Sequence, residues 1–222
     1  MDALTRAALK ARGVRKVVVS NNNPDHRIRD HVDVDDPRVR LIDQPTRFGC
    51  GNRYDIARDD DAEHFLCIDD DIFLRPGQID GLIDKLRDDP AVPHGLHGSE
   101  YLPGSGTDRP TTLYYRGQDI DVDVLHNIYA FTRTHVRYYF ANLELGRRHG
   151  LEHLEICDDI LLSHAAPSRP LIHDLGRYSV DPTWNADDVA VFRQPEYERS
   201  RDRAMEFFIL RSLERALPAQ AG

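Results

Sequence analysis

The chain reads as an α/β protein built around a largely parallel sheet, and three observations predict it. Through the first half, short β-branched or continuous apolar runs alternate with amphipathic helical patterns. The second half changes to several strand-like segments, two shorter helices and one long terminal helix. The 222 residues are 40% apolar and 30% charged, a balance that buries a core and excludes wholesale disorder. That length suits one unit over residues 1–222, with halves at 1–95 and 96–222.

The elements follow in order. Leu4, Ala8 and Leu9, with Ala7 and Ala11, fall at helical spacing over Asp2–Ala11, and Gly13 ends the helix. Lys16–Ser20 is a buried strand stopped by Asn21-Asn22-Asn23-Pro24, and Val39–Ile42 is a second strand closed by Pro45. A helix over Asn52–Asp59 follows Gly49 and Gly51. His64–Ile68 (HFLCI) is a continuous apolar strand with Asp69-Asp70-Asp71 at its carboxyl end. Gln78–Asp88 carries Ile79, Leu82, Ile83 and Leu86 on one face, and Pro90 stops it. Strands are expected at Leu96–Tyr101, Leu113–Tyr115, Val122–Phe131 and Leu171–Asp174, with turn chemistry at Pro103-Gly104-Ser105-Gly106. Helices are expected at Tyr138–Leu145, Ile156–His164 and Tyr197–Ala216. In the last of these, Met205, Phe208, Ile209 and Leu213 form a core-packing stripe.

Composition excludes several classes. A net charge of −9, from 38 acids and 29 bases, argues against general binding of nucleic acid or of an anionic membrane. Only Lys10, Lys16 and Lys85 are lysines, so no chemistry can rest on a lysine in the second half. Cys50, Cys67 and Cys157 are odd in number and widely spaced, which fits a reducing compartment better than a disulfide framework or a cysteine zinc site. No signal peptide and no membrane-spanning run is apparent, and a soluble cytoplasmic protein is expected. Neither GxGxxG nor GxxxxGK[ST] occurs.

Four constellations could carry chemistry. Strand alternation would put Asp69 and Asp71 on the same side and turn Asp70 away. Converging carboxylates need a cation, and hard oxygen ligands select Mn²⁺ or Mg²⁺; the plain alternative is a solvated acidic turn. Asp158 and Asp159 are either a catalytic carboxylate pair or a helix cap and a first-turn acid. Asn52 and Arg53 could offer an amide and a guanidinium to a ligand, or simply open a surface helix. Asn21–Asn23 could meet a nucleobase, or serve their own turn. His97, His126, His164 and His173 share no metal-motif spacing and read as surface or packed histidines, with His173 the best ligand among them. Trp184 either stacks on a sugar or packs.

Taken in this order, a strand ending in Asn-Asn, an Asn-Arg helix, a strand ending in Asp-Asp-Asp and a distant Cys-Asp-Asp-Ile before a helix resemble the exostosin-type catalytic domain. That is a glycosyltransferase of the GT-A fold, a three-layer nucleotide-diphospho-sugar transferase architecture with a mostly parallel central sheet. The resemblance runs from about Lys16 to about Leu210 and takes in the Pro103–Gly106 turn and the strand Val124–Phe131. It implies a nucleotide-binding half at 1–95 and an acceptor and catalytic half at 96–222. Asp69 and Asp70 would face the nucleotide sugar, and Asp71, with Asp69, would hold the metal bridging the donor diphosphate. Asn21 would lie near the uracil, Asn52 and Arg53 near the donor sugar and diphosphate. Asp159 would be the catalytic carboxylate, with Arg201 or Arg203 steadying the leaving phosphate. The expected activity is transfer of a hexosamine-type sugar from a UDP-sugar to an unidentified acceptor, with retention, dependent on Mn²⁺ or Mg²⁺. Such domains normally open with a strand before the first helix, and the sequence here opens at the helix, so that strand is expected to be missing.

Two alternatives stand beside this. Asp69-x-Asp71 after an apolar strand also resembles the first motif of aspartate-nucleophile (HAD-like) phosphatases, with Asp158 and Asp159 as the acidic metal pair. Against it, no lysine follows Lys85. The third possibility is a non-catalytic nucleotide-sugar-binding domain.

Overall fold

The computed structural model describes residues 1–102, 111–181, 193 and 196–216. Pro103–Gly106 and Trp184 lie outside the described residues.

Helix α1 (Asp2–Lys10) buries Leu4 and Thr5 and leads into β1 (Val17–Asn21). β1 pairs in parallel with β2 (Val39–Asp43), in register from Val17↔Val39 to Asn21↔Asp43. A 3₁₀ turn at Ile28–Asp30 lies between them, and Val19, Ile28, Val32 and Val34 close a small apolar cluster. Helix α2 (Asn52–Arg58) then precedes β3 (His64–Ile68). The chain turns at once, the Ile72 N–H donating to Asp69 O at 3.1 Å, and enters β4 (Ile72–Phe73).

Helix α3 (Pro76–Asp88) starts with a proline at its first position, where the missing N–H costs nothing. The Gln78 amide accepts from Arg75 N at 3.0 Å and donates to the carbonyls of Leu175, Gly176 and Arg177, tying the helix start to a segment far along the chain. β5 (His94–Gly95), β6 (His97–Leu102), β7 (Thr111–Arg116), β8 (Ile120–Asp121), β9 (Val124–Leu125) and β10 (Ile128–Thr132) follow. Then come α4 (Arg133–Arg148), a 3₁₀ turn at Leu154–Ile156, α5 (Asp158–Ser163), β11 (Leu171–Ile172), β12 (Ser179–Val180) and α6 (Tyr197–Ala216).

The largest sheet has the order β3-β10-β5-β11-β8. β10 alternates strictly: Tyr129 and Phe131 enter one core with Tyr54, Tyr139, Ile160 and Phe208, while Ile128 and Ala130 enter another with Ile79, Leu82 and Leu86. Apolar side chains therefore leave the sheet on both faces, towards α1 and α3 on one side and α2, α4, α5 and α6 on the other.

The molecule is a mixed α/β protein, and the expected largely parallel sheet needs correction. β3, β5 and β11 do share a direction, as the crossover through α3 requires. β10, however, inserts antiparallel between β3 and β5, and β8 joins antiparallel to β11. The parallel ladders among the described residues are β1·β2 and β5·β11. The single strand expected over Val122–Phe131 is two, β9 and β10, because Asn127 sits at φ 62°, a left-handed conformation that asparagine tolerates and that breaks the extended run. The stripe on α6 is shorter than expected: Ala204, Met205 and Phe208 are buried, but Leu213 is 59% exposed. Among the described residues no helix is long and apolar enough to cross a membrane.

Candidate active site

The end of β3 is fixed by a two-sided grip on Asp69. Its backbone N–H donates to Asn127 O at 2.9 Å, and the Asn127 amide returns a bond to Asp69 Oδ2 at 3.1 Å. The left-handed backbone of Asn127 makes this reciprocal contact possible, and its own N–H is held by the Tyr129 hydroxyl at 3.0 Å. From the other side Arg53, in the first turn of α2, places Nη1 2.6 Å from Asp69 Oδ1. Its Nε donates to Cys50 O at 3.1 Å and lies 3.5 Å from Asp158 Oδ2. The guanidinium also sits 5.4 Å from the Tyr129 ring centroid, a cation–π distance.

Asp158 and Asp159 open α5, where negative charge suits the helix dipole. Cys157, not Asp158, occupies the capping position, so of the two readings the helix-cap one does not hold, and both acids lie in the first turn. Both are buried, at 6% exposure each. Asp159 is clamped in a bidentate pair, Arg201 Nη1 on Oδ1 and Nη2 on Oδ2, both at 2.6 Å. The Ile160 N–H donates to Oδ1 at 2.8 Å, and His126 Nδ1 lies 3.3 Å from Oδ2. His126 is itself held through Nε2 by Ser99 Oγ at 2.8 Å. Arg201 gives a further bond to Ile156 O at 3.2 Å.

The two carboxyls differ electrostatically although they are adjacent. Burial pushes Asp158 up to about 6, opposed by Arg53 and reinforced by the charges of Asp159 and Asp69. Its Oδ2 is buried and makes no hydrogen bond among the described residues. Burial also acts against ionisation of Asp159, but Arg201 and His126 outweigh it and hold that carboxyl well below the usual carboxylate range. Burial pulls the neighbouring His97 down to about 4, helped by His126 and Arg116.

The structure thus brings Arg53, Asp69, Asp158, Asp159 and Arg201 into one connected cluster at the carboxyl end of β3. Arg53 is not the surface residue of the plain alternative, because its guanidinium is enclosed by Asp69, Asp158 and Tyr129. Arg203 lies elsewhere. Two residues on a helix span about 200°, so it is exposed beside Leu151 and Glu152 while Arg201 faces Asp159. Asn21 serves its own loop, its amide reaching the carbonyls of Asn23 and His26 and Asp43 Oδ1 at 3.0, 2.7 and 2.9 Å. Asn52 opens α2 beside Arg53. The alternation expected to align Asp69 with Asp71 stops at Ile68, where the chain turns. Asp70 reaches the surface, yet the protein crowding it and the charges of Asp71 and Asp69 raise its carboxyl. Among the described residues no group of three or more His, Cys, Asp or Glu side chains is arranged as a metal site.

Sequence reasoning missed His126, Asn127, Ser99 and Tyr129 as members of the cluster. His126 has no motif spacing to Asp159, and the signal available for Asn127 was an asparagine interrupting an apolar run. Compared with known proteins, the chain matches no family model and no curated sequence.

Proposed function

We propose that the protein is a metal-dependent glycosyltransferase of the GT-A type, moving a hexosamine-type sugar from a UDP-sugar to an acceptor with retention. The observation that carries this is the convergence of two arginine-clamped carboxylates, Asp69 with Arg53 and Asp159 with Arg201, at the carboxyl end of a sheet strand. Ligands of open α/β sheets occupy such ends.

The acidic triad Asp69-Asp70-Asp71 is the place a divalent cation would occupy. Its donors are of the right kind, hard carboxylate oxygens. Asp69 already has both oxygens engaged, by Arg53 and Asn127. A Mg²⁺-type ion commonly takes one or two protein carboxylates and completes its shell with substrate phosphates. Asp71 would be the principal ligand in that arrangement, with Asp69 offering a second carboxylate. When bound, the ion offsets the negative charge that develops on the departing diphosphate.

The remaining roles belong to the chain's own groups. Asp159 faces the sugar and stabilises positive charge developing there. A carboxylate whose two oxygens are taken up by the Arg201 guanidinium and the Ile160 N–H is placed as a fixed charge rather than as a proton acceptor. Arg201 and His126 keep it ionised and oriented. Arg53 fixes Asp69 and partly neutralises the three-acid site. A divalent cation lying between them would let a protein of net charge −9 hold a diphosphate. Against the phosphatase alternative stands the absence of any lysine after Lys85 to hold the phosphoryl group.

The test is release of UDP from UDP-N-acetylglucosamine in the presence of Mn²⁺. The wild-type protein is expected to turn the donor over, and Asp159→Asn to slow it by about 10²-fold or more while retaining its circular dichroism spectrum. Hydrolysis of p-nitrophenyl phosphate, abolished by Asp69→Asn and unaccompanied by donor consumption, would overturn the assignment.

A further inference from the structure

The small sheet β7-β6-β9 ends on one side in β7, a strand with no neighbour beyond it among the described residues. Edge strands ordinarily carry lysine, proline, a bulge or an inward charge that blocks further pairing. β7 (TTLYYR) contains no lysine or proline, and its register against β6 runs unbroken from Leu102↔Thr111 to His97↔Arg116. Its one charge, Arg116, stands at the strand end with its guanidinium 4.6 Å from the Tyr178 ring centroid. Leu113 is 41% exposed and Tyr114 67%.

The bonds made by β6 show which backbone groups of β7 point outward. His97 O and Ser99 O accept from His126 N and Asp123 N, each at 2.9 Å, and Tyr101 N donates to Asp123 Oδ2 at 2.8 Å. Those three residues therefore face β9. Gly98, Glu100 and Leu102 face β7, opposite Tyr115, Leu113 and Thr111. By the same alternation Thr112, Tyr114 and Arg116 turn their N–H and C=O groups away from the sheet, and they are spaced evenly about Tyr114. A second β7, related by a two-fold axis normal to the sheet at Tyr114, sets Tyr114 against Tyr114 and Thr112 against Arg116 on either side of the axis. Every outward donor then meets an outward acceptor. On the opposite face Leu113 of each copy falls beside Tyr115 of the other. The two Arg116 side chains stand about 14 Å apart, beyond the screening length of about 8 Å, so no like charges meet.

We infer that β7 is the contact strand of a homodimer, in which two copies of this chain join edge to edge into one continuous sheet. The occupant is a second copy because the free backbone groups and the single charge of β7 are complementary to themselves about one residue, as an isologous contact requires. So short a ladder makes a small interface, and the dimer is weak and concentration-dependent.

Sedimentation velocity over a concentration series tests this. The wild-type protein is expected to pass from monomer to dimer as its concentration rises through the micromolar range towards about 0.2 mM. Tyr114→Lys places like charges opposite each other at the axis, and Tyr114→Pro removes an outward N–H without touching the β6 ladder. Both are expected to remain monomeric while keeping the wild-type circular dichroism spectrum. Thr112→Glu sets an acid against Arg116 on both sides of the axis and is expected to tighten the dimer by about twofold or more. A wild-type protein that stays monomeric at about 0.2 mM would overturn the inference. So would a dimer that persists unchanged in folded Tyr114→Lys, because the contact would then lie on another surface. If the Tyr114 variants unfold, Thr112→Glu decides: a tighter dimer supports this register, and an unchanged or weaker one overturns it.

Discussion

Replacing Arg201 by methionine lowers the stability of the protein by about 3–5 kcal/mol, the cost of leaving a buried charge without its partner. The methionine roughly keeps the side-chain volume, so lost packing is the smaller effect. What remains is the Asp159 carboxylate, 6% exposed, facing a position where two guanidinium nitrogens had stood at 2.6 Å. His126 at 3.3 Å and the Ile160 N–H are poor substitutes for a bidentate cation. The Ile156 carbonyl loses its donor as well. For a chain of this size, that loss lowers the melting temperature by roughly 10 °C or more. Two companion variants identify the cause. Arg203→Met, on the exposed side of α6, is expected to change stability by no more than about 0.5 kcal/mol. Arg201→Met combined with Asp159→Leu should recover most of the loss, because an apolar pair needs no counter-charge. Denaturant unfolding of the four proteins decides it. A single Arg201→Met variant within about 1 kcal/mol of wild type would contradict the clamp, as would Arg203→Met causing equal damage.

The second large effect is loss of stability in acid through a buried histidine pair. His94, on β5, and His173, just past β11, share a hydrogen bond of 2.8 Å between Nδ1 and Nε2, with their rings stacked 5.1 Å apart. His94 Nε2 is engaged by Asp89 O at 2.6 Å. Lys85 on α3, Asp89 at its C-terminal cap, Asp119 before β8 and His135 on α4 are the titratable groups around the pair among the described residues. Asp119 approaches His173 Nδ1 only to 3.6 Å. Burial holds His94 below its ordinary value and, with the charge of His94 and then Lys85, brings His173 down to about 4. The unfolded chain therefore binds a proton at His173 from about pH 6.5 downwards, whereas the folded protein resists it until about pH 4. Stability is present in full above pH 6.5 and falls through that window, by on the order of 3 kcal/mol for His173 alone. Asp158 acts in the opposite sense, since its raised carboxyl takes up a proton in the folded state first. The difference in pH slope between wild type and His173→Gln thus isolates the histidine. Unfolding free energies at pH 7 and pH 4.5 should diverge less in the variant, and identical slopes would contradict the assignment.

Much of the fold was legible because its signals are local. HFLCI is β3 residue for residue, and the Ile79, Leu82, Ile83 and Leu86 face did belong to a buried helix. The long terminal helix begins at Tyr197 and ends at Ala216 as its pattern required. Helix α4 was too short in the sequence, at Tyr138–Leu145, because its start depends on a cap in which Thr132 and His135 bond each other's backbone, and Thr-x-x-His is not a familiar signature. The two-residue strands β4, β5, β8, β9, β11 and β12 carry no period to read. Their pairing comes from contacts far along the chain, such as Leu171 with His94 and Val180 with Ile72.

The site divides along the same line. Asp69, Arg53 and Asp159 stand out as acids and an arginine at strand and helix ends. Arg201 and Arg203 are equivalent as letters, and only the angular position on α6 separates them. His126 and Asn127 joined the cluster through a backbone reversal at φ 62° that no spacing rule predicts.

The most direct measurement of the central claim is calorimetric titration of UDP into the protein with Mn²⁺ and then with a chelator, repeated for Asp71→Asn. Binding that appears only with the metal and is lost in Asp71→Asn, while the variant melts like wild type, is the expected result. UDP binding of equal strength with and without Mn²⁺, or no binding under either condition, would contradict it.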